Sequence, residues 1–202
     1  MKLQNNKTLI SILVIIIGIL ILFIVIKKPS ETKSTVVDSD VKGKINFEEI
    51  IGQKAPLFEL ESIDGTTIKL SDYLGKNVVL FFNEGSMCYP ACWDQMAKLG
   101  EDSRFDTESV VAFSIVTDPK SQWLDIVSKS TNLTKSKIIF DTSRSVSMAY
   151  DVLNLRSSMH PGSLPGHTYF IIDKEGIIRF TLDDPNMALA NDKLIKAIEA
   201  LK

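Results

Sequence analysis

Cys88 and Cys92 are the only cysteines in the chain, and their type and spacing suit redox chemistry. The stretch around them reads Phe81-Phe82-Asn83-Glu84-Gly85-Ser86-Met87-Cys88-Tyr89-Pro90-Ala91-Cys92-Trp93-Asp94-Gln95-Met96. An apolar run from Asn77 to Phe82 leads into it, and Gly85 with Ser86 permits a turn. Pro90, with φ fixed and no amide to satisfy, suits the first position of a helix. Cys88 is then expected just ahead of that helix and Cys92 inside its first turn, where free amides and the helix dipole favour negative sulfur. Only a thiolate attacks a disulfide. Cys88 is therefore the expected nucleophile, and Cys92, deeper in the helix, the resolving partner. Residues four apart at a helix start lie roughly 6 Å apart by Cα, within disulfide range. A disulfide-built scaffold would use more pairs over a smaller domain. The plain alternative is two buried thiols that happen to be neighbours, and the strand–loop–helix setting speaks against it.

Three other residues are candidates for supporting roles. Glu84 either takes a proton from Cys92 as a buried base or is a solvated loop carboxylate. His167 is open to three readings: a hydrogen-bonded structural histidine, a proton donor to a thiol, or a metal ligand. Pro90 shapes the cysteine loop. Trp93 is expected to pack the helix. Asp141, Asp151, Asp183 and Asp184 lack metal-ligand spacing and read as turn or cap residues.

These residues need elements to position them. Leu57–Leu60 and Thr66–Ile68 flank Asp64-Gly65, a hairpin signal. Ser71–Gly75 reads as one helical turn. Asn77–Phe82 and Val110–Val116 are continuous apolar runs, expected as strands covered on both faces. Helices are predicted over Pro90–Gly100, Pro119–Ser128 and Arg144–Tyr150, with a short strand at Lys137–Phe140. A loop at Asn154–Gly166 precedes strands at His167–Ile172 and Gly176–Thr181, joined by a turn at Asp173-Lys174-Glu175-Gly176. Asn191–Leu201 closes the chain as an amphipathic helix, apolar at Leu194, Ile195, Ile198 and Leu201. Strands alternating with helices imply an α/β domain with a mixed central sheet between helical layers.

At 202 residues, 24% charged and 45% apolar, the chain has the size and balance of one globular domain with an extension. A net charge of −2 gives no electrostatic reason for a nucleic-acid partner. The apolar fraction is raised by Leu9–Ile26, an uncharged run that as a helix spans about 27 Å, close to the hydrocarbon thickness of a bilayer. Lys27 and Lys28 can snorkel at its end. A cleaved signal peptide is the alternative, but its apolar core would be shorter and followed by a small-x-small cleavage site. The expected organisation is a tail over 1–8, a single transmembrane anchor over 9–28 that meets the lipid bilayer through 9–26, a polar linker over 29–48, and one α/β domain over 49–202. Lysines after the apolar run outnumber those before it, which read literally would keep the domain on the cytoplasmic side.

From Gly52 to about Leu201 the chain resembles the AhpC/TSA-type redoxins of the thioredoxin-like superfamily. The carrying stretches are Gly52-Gln53-Lys54-Ala55-Pro56-Leu57-Phe58-Glu59-Leu60, then Ile68-Lys69-Leu70-Ser71-Asp72-Tyr73-Leu74-Gly75-Lys76-Asn77-Val78-Val79-Leu80-Phe81-Phe82, and His167-Thr168-Tyr169-Phe170-Ile171-Ile172-Asp173-Lys174-Glu175-Gly176-Ile177-Ile178-Arg179. The resemblance implies a thioredoxin-like fold and a thiol–disulfide oxidoreductase acting on a protein or small-molecule disulfide or thiol. It implies an extracytoplasmic domain on a cell-membrane anchor, and no organic cofactor; no phosphate-binding glycine loop is present either. Two departures matter. The Pro-x-x-x-Thr-x-x-Cys of peroxiredoxins is replaced here by Phe81 and Gly85 ahead of Cys88, so thiol peroxidase activity is the weaker expectation. The cis-proline that thioredoxins place before the facing strand corresponds to His167, with Pro165 two residues earlier. A secondary resemblance is to anchored SCO-type copper chaperones, which share Cys-x3-Cys and a distal histidine. It implies copper on Cys88, Cys92 and His167 as an alternative, with His160 beside Met159 as a further ligand or a solvated loop residue.

Overall fold

The computed structural model describes residues 46–201. The expected tail, anchor and most of the linker lie outside them. Among the described residues no helix is long and apolar enough to cross a membrane.

The two apolar runs become the central strands. They are β3 (Asn77–Phe82) and β4 (Val110–Val116), paired in parallel, with β5 (Ile138–Phe140) parallel to β4. Both faces of β3 are buried because side chains alternate. Val79 and Phe81 enter one hydrophobic cluster, whereas Val78, Leu80 and Phe82 enter the other. An antiparallel hairpin, β1 (Glu59–Ser62) and β2 (Thr67–Lys69), adds to the β5 edge. Its turn uses Gly65 at φ +91°, a conformation glycine adopts without steric cost. On the other side β6 (Thr168–Ile172) pairs antiparallel with β3, and β7 (Ile178–Asp183) with β6. The seven strands run β2-β1-β5-β4-β3-β6-β7.

Helices α1 (Ala91–Glu101), α2 (Lys120–Lys129) and α4 (Asn191–Glu199) cover the first face, contributing Met96, Trp123, Leu194 and Ile198 to its cluster. The short α3 (Ser145–Ala149) covers the other with Val146 and Ala149, beside Tyr150 and the segment around Ile50. This is the mixed sheet between helical layers that the periodicity implies.

The differences from expectation are local. Pro90 and Pro119 were placed inside first turns, but each stands one residue earlier as the cap. Proline lacks the amide that would open the helix, so it serves as well outside it. His167 lies just ahead of β6, not within it, and Ser71–Gly75 is a 3₁₀ turn over Leu70–Tyr73.

Candidate active site

The chain leaves β3 at the carboxyl edge of the sheet, where open α/β sheets put their sites. Residues 83–90 carry it into α1. Cys88 precedes the helix and Cys92 occupies its first turn, as the spacing requires. The two are joined in a disulfide, with Cα atoms 5.3 Å apart. The loop holds them in place by its own backbone: the Cys92 amide donates to the Cys88 carbonyl at 3.0 Å, and the Cys88 amide to that of Gly85 at 3.2 Å. Both cysteines are buried, Cys92 completely and Cys88 at 3% exposure. Met187 lies over Cys88, its Sδ 3.9 Å from Sγ, with backbone at φ +51° in the left-handed region that favours glycine.

His167 reaches the site from the start of β6. Its Nδ1 is 3.6 Å from Cys92 Sγ, and its Nε2 is 2.7 Å from the hydroxyl of Tyr169. Both residues are fully buried, and Phe81 stacks on Tyr169 and meets the imidazole edge-on. Burial pushes the His167 pKa down to about 4, against the pull of Asp184, the Ala188 carbonyl and Asp183. The imidazole is thus neutral at pH 7. Burial likewise pushes the Tyr169 phenol up, so it keeps its proton.

Two carboxylates bracket the cysteine loop. Glu84 is buried, but its hydrogen bonds do not serve Cys92. One oxygen accepts from Ser158 Oγ at 3.1 Å and from the amides of Met159 and His160; the other meets His160 Nδ1 at 3.1 Å. Of the two readings open for Glu84, the solvated carboxylate is excluded by its burial, and the carboxylate is a clamp on the 158–160 loop. A buried carboxylate must be paired, and four groups on that loop meet the need. His160 is correspondingly tied to Glu84. Asp118, just beyond β4, accepts from the Ser86 amide at 3.0 Å, Ser86 Oγ at 2.8 Å and Trp123 Nε1 at 2.9 Å. Trp93 packs as expected and also donates to the Gly85 carbonyl at 3.2 Å.

The Asp118 clamp bears on the departure at Gly85. That residue sits at φ +61°, and a Cβ on it would lie 1.9 Å from Asp118 Oδ2. A threonine there would collide with the carboxylate and be forced into a left-handed backbone. Arg104 and Arg179 are ion-paired to Asp102 and Asp173 and line a cavity at the amino-terminal end of β3 and β4.

For a metal, Cys88, Cys92 and His167 offer donor atoms within 4.8 Å of one another. Two sulfurs and an imidazole suit copper, but the sulfurs are free to ligate only once the disulfide is opened.

Comparison with known proteins decides the family. Residues 51–181 match the model of the AhpC/TSA family. The chain belongs to that family. Peroxiredoxin Bcp of Bacillus subtilis is 30% identical over 153 residues, covering 75% of this chain and 94% of that protein. The chloroplastic 2-Cys peroxiredoxin BAS1 of Spinacia oleracea is 27% identical over 80% of this chain and 63% of its own length. In three dimensions the chain is similar to peroxidoxin BcpB from Mycobacterium tuberculosis, with a TM-score of 0.62 and 22% identity over 75% of this chain and 97% of that one. The fold is thus thioredoxin-like, and this AhpC/TSA member is a thiol-dependent oxidoreductase.

Sequence reasoning named Cys88, Cys92 and His167, which the structure places side by side. It missed Tyr169, Asp118 and Met187. Tyr169 had a signal: it is two residues past His167 and so on the same strand face. Asp118 also had one, since the ends of adjacent parallel strands share an edge. For Met187 none existed.

Proposed function

We propose that this AhpC/TSA domain is a membrane-tethered thiol–disulfide oxidoreductase. Reduced Cys88 attacks a substrate disulfide and forms a mixed disulfide, the substrate's other sulfur leaving as a thiolate. Cys92 then attacks Cys88 Sγ, closing the internal disulfide and releasing the substrate as a dithiol. No cofactor enters these steps. The observation that carries the reading is the closed Cys88–Cys92 pair at the strand-to-helix turn, with an imidazole 3.6 Å from Cys92.

Peroxide reduction is the second reading, favoured by relatives that are named peroxiredoxins. Gly85 and the Asp118 carboxylate beside it argue for disulfide exchange instead, because no hydroxyl stands three residues ahead of Cys88 to orient a peroxide. The family match favours either thiol chemistry over copper carriage.

The deciding experiment compares insulin reduction with hydrogen peroxide consumption for the full-length chain and for Cys88→Ser and Cys92→Ser. Exchange predicts insulin reduction that both substitutions abolish, with Cys92→Ser trapping substrate on Cys88. Full insulin activity in both variants would eliminate the reading. Peroxide consumption at a rate far above insulin reduction, lost in Cys88→Ser, would establish the peroxidase instead. Copper is checked by Cu(I) competition on the reduced chain, where tight one-to-one binding lost in His167→Ala would revive that role.

The anchor is proposed from the apolar run over 9–26, with the domain on the extracytoplasmic side. Carbonate extraction of membranes, followed by protease treatment of intact cells, tests both points. Release by carbonate would refute the anchor, and protection from protease would refute the orientation.

A further inference from the structure

The imidazole beside Cys92 has two ring nitrogens with different neighbours, and its tautomer follows from them. Among the described residues the Tyr169 hydroxyl has one hydrogen-bonding partner, Nε2 of His167, at 2.7 Å. Tyr169 is fully buried, so its proton has nowhere better to go. A hydroxyl that donates to Nε2 requires the lone pair on that atom, which places the ring proton on Nδ1. Nδ1 faces Cys92 Sγ at 3.6 Å, an N–H···S distance, and the Ala188 carbonyl beside the ring is a further acceptor for a ring N–H. The opposite tautomer would leave the tyrosine proton without an acceptor and turn a nitrogen lone pair toward the sulfur.

The pair is also held rigidly. Phe81 stacks on the Tyr169 ring with centroids 4.6 Å apart and meets His167 edge-on at 4.7 Å. Register aligns Phe81 with Tyr169 across β3 and β6. Neither ring can turn without disturbing the central strands.

We infer that Tyr169 is a positioning residue that fixes His167 as the Nδ1–H tautomer, so that the imidazole donates a hydrogen bond to Cys92 when that sulfur carries charge. The inference rests on the proposed exchange chemistry and deepens it. When an external thiolate attacks Cys88 Sγ, a sulfur–sulfur bond forms there and the Cys88–Cys92 bond breaks. The electron pair leaves on Cys92 Sγ, where Nδ1–H meets it without transferring its proton. A second thiolate of the reductant then releases Cys88. In the forward direction the same hydrogen bond keeps Cys92 deprotonated and aimed for its attack on the mixed disulfide. Stabilising that thiolate favours the open pair, and so makes the disulfide the more oxidising. His167 touches the reacting sulfur; Tyr169 acts through it.

The test uses the full-length chain with histidine labelled by nitrogen-15. The chain has two histidines, so the His167 signals are those absent from His167→Gln. Two-bond nitrogen–proton couplings in the oxidised wild type report the tautomer directly. The proton is expected on Nδ1; a proton on Nε2 overturns the inference, whatever any variant does. The second measurement equilibrates the disulfide with dithiothreitol, for wild type and Tyr169→Phe. Loss of the hydroxyl is expected to lower the equilibrium constant for opening about tenfold, equivalent to a potential about 30 mV more negative, with a matching loss in reduction rate. A role confined to packing leaves both unchanged, because phenylalanine keeps the stack on Phe81. An unchanged constant in a pair that still cycles overturns the inference alone. A wild-type pair that never opens with dithiol overturns the exchange function with it.

Discussion

Gly85 and Asp118 should be energetically coupled, and the coupling can be measured with Gly85→Ala, Asp118→Ala and the double variant. Removing Asp118 takes the acceptor from the Ser86 amide, from Ser86 Oγ and from the indole N–H of a fully buried Trp123. Hydrogen bonds to a charged acceptor contribute about 1.5–3 kcal/mol, and a stranded buried donor costs about 1–3 kcal/mol. Asp118 is partly exposed, so water replaces some of this, and a loss of about 3 kcal/mol is expected. Gly85→Ala meets two penalties. The left-handed φ of +61° is one, worth about 1–2 kcal/mol for a residue with a Cβ. The other is a Cβ placed 1.9 Å from Oδ2, which expels the carboxylate and forfeits the same hydrogen bonds.

In the double variant nothing remains to collide with, and only the backbone penalty is added to the loss of Asp118. The two single effects therefore overlap by about 3 kcal/mol, the shared loss of the Asp118 hydrogen bonds, at the upper end of the range seen for residues in direct contact. Denaturant unfolding of the oxidised chain measures each corner of the cycle. Effects that add to within about 0.5 kcal/mol would refute the proposed contact, since that is the behaviour of independent sites. The same variants carry a kinetic readout. Asp118→Ala frees Ser86, two residues ahead of Cys88, and should speed reduction of the disulfide by small thiols.

Other outcomes follow from other groups. Glu84→Ala should destabilise the domain by about 3 kcal/mol by removing a charged acceptor from Ser158 Oγ and from the Met159 and His160 amides, and those two amides should lose most of their protection from hydrogen exchange. Tyr150→Phe removes the hydroxyl that donates to the Pro56 carbonyl at 3.0 Å, for a loss of about 1 kcal/mol in denaturant unfolding. His167 has a folded pKa of about 4, below its unfolded value near 6.5. Its contribution is present above pH 6.5 and drains away as pH falls toward 4, so a stability-versus-pH curve for His167→Gln should be flatter there than wild type. Asp102, held at about 2 chiefly by the Arg104 guanidinium, contributes above pH 4 and loses that contribution between about 4 and 2. Asp102→Asn should flatten that lower window alone.

The elements were legible because apolar runs and turn residues report burial directly. Asn77–Phe82 and Val110–Val116 have no solvent face, and only strands in the middle of a covered sheet read that way. The cysteine pair was legible because its spacing needs only a helix start. His167 was a candidate, but its role was open because the deciding contacts come from Cys92 and Tyr169 on two different elements. Glu84 was misread for a related reason. A carboxylate on the loop ahead of Cys92 looks like a base until the loop 74 residues downstream folds against it. Loop 158–160 has no periodicity, and its approach to Glu84 depends on how 154–166 crosses the sheet edge. Met187 was invisible because a left-handed methionine over a sulfur is a product of tertiary packing alone.

The clamps on the cysteine loop bear on how fast the pair can close. Glu84 ties one end to the 158–160 loop, Asp118 ties Ser86, and the Cys88 carbonyl is bonded to the Cys92 amide. None of these contacts involves the sulfur–sulfur bond, so each survives its opening. The reduced pair is then expected to keep the Cα spacing of 5.3 Å that the disulfide shows. An intramolecular thiolate so placed acts at an effective concentration of about 10⁵ M or more, the range reached by well-oriented reactions, which no dissolved thiol approaches. Under the proposed exchange chemistry, a mixed disulfide on Cys88 should then be resolved by Cys92 before a second external thiol arrives. Loosening either clamp shortens that advantage. In Glu84→Ala the mixed disulfide should persist long enough to be captured by acid quench and mass spectrometry. If it resolves as fast as in wild type, the loop's own backbone bonds suffice and the carboxylates serve stability alone.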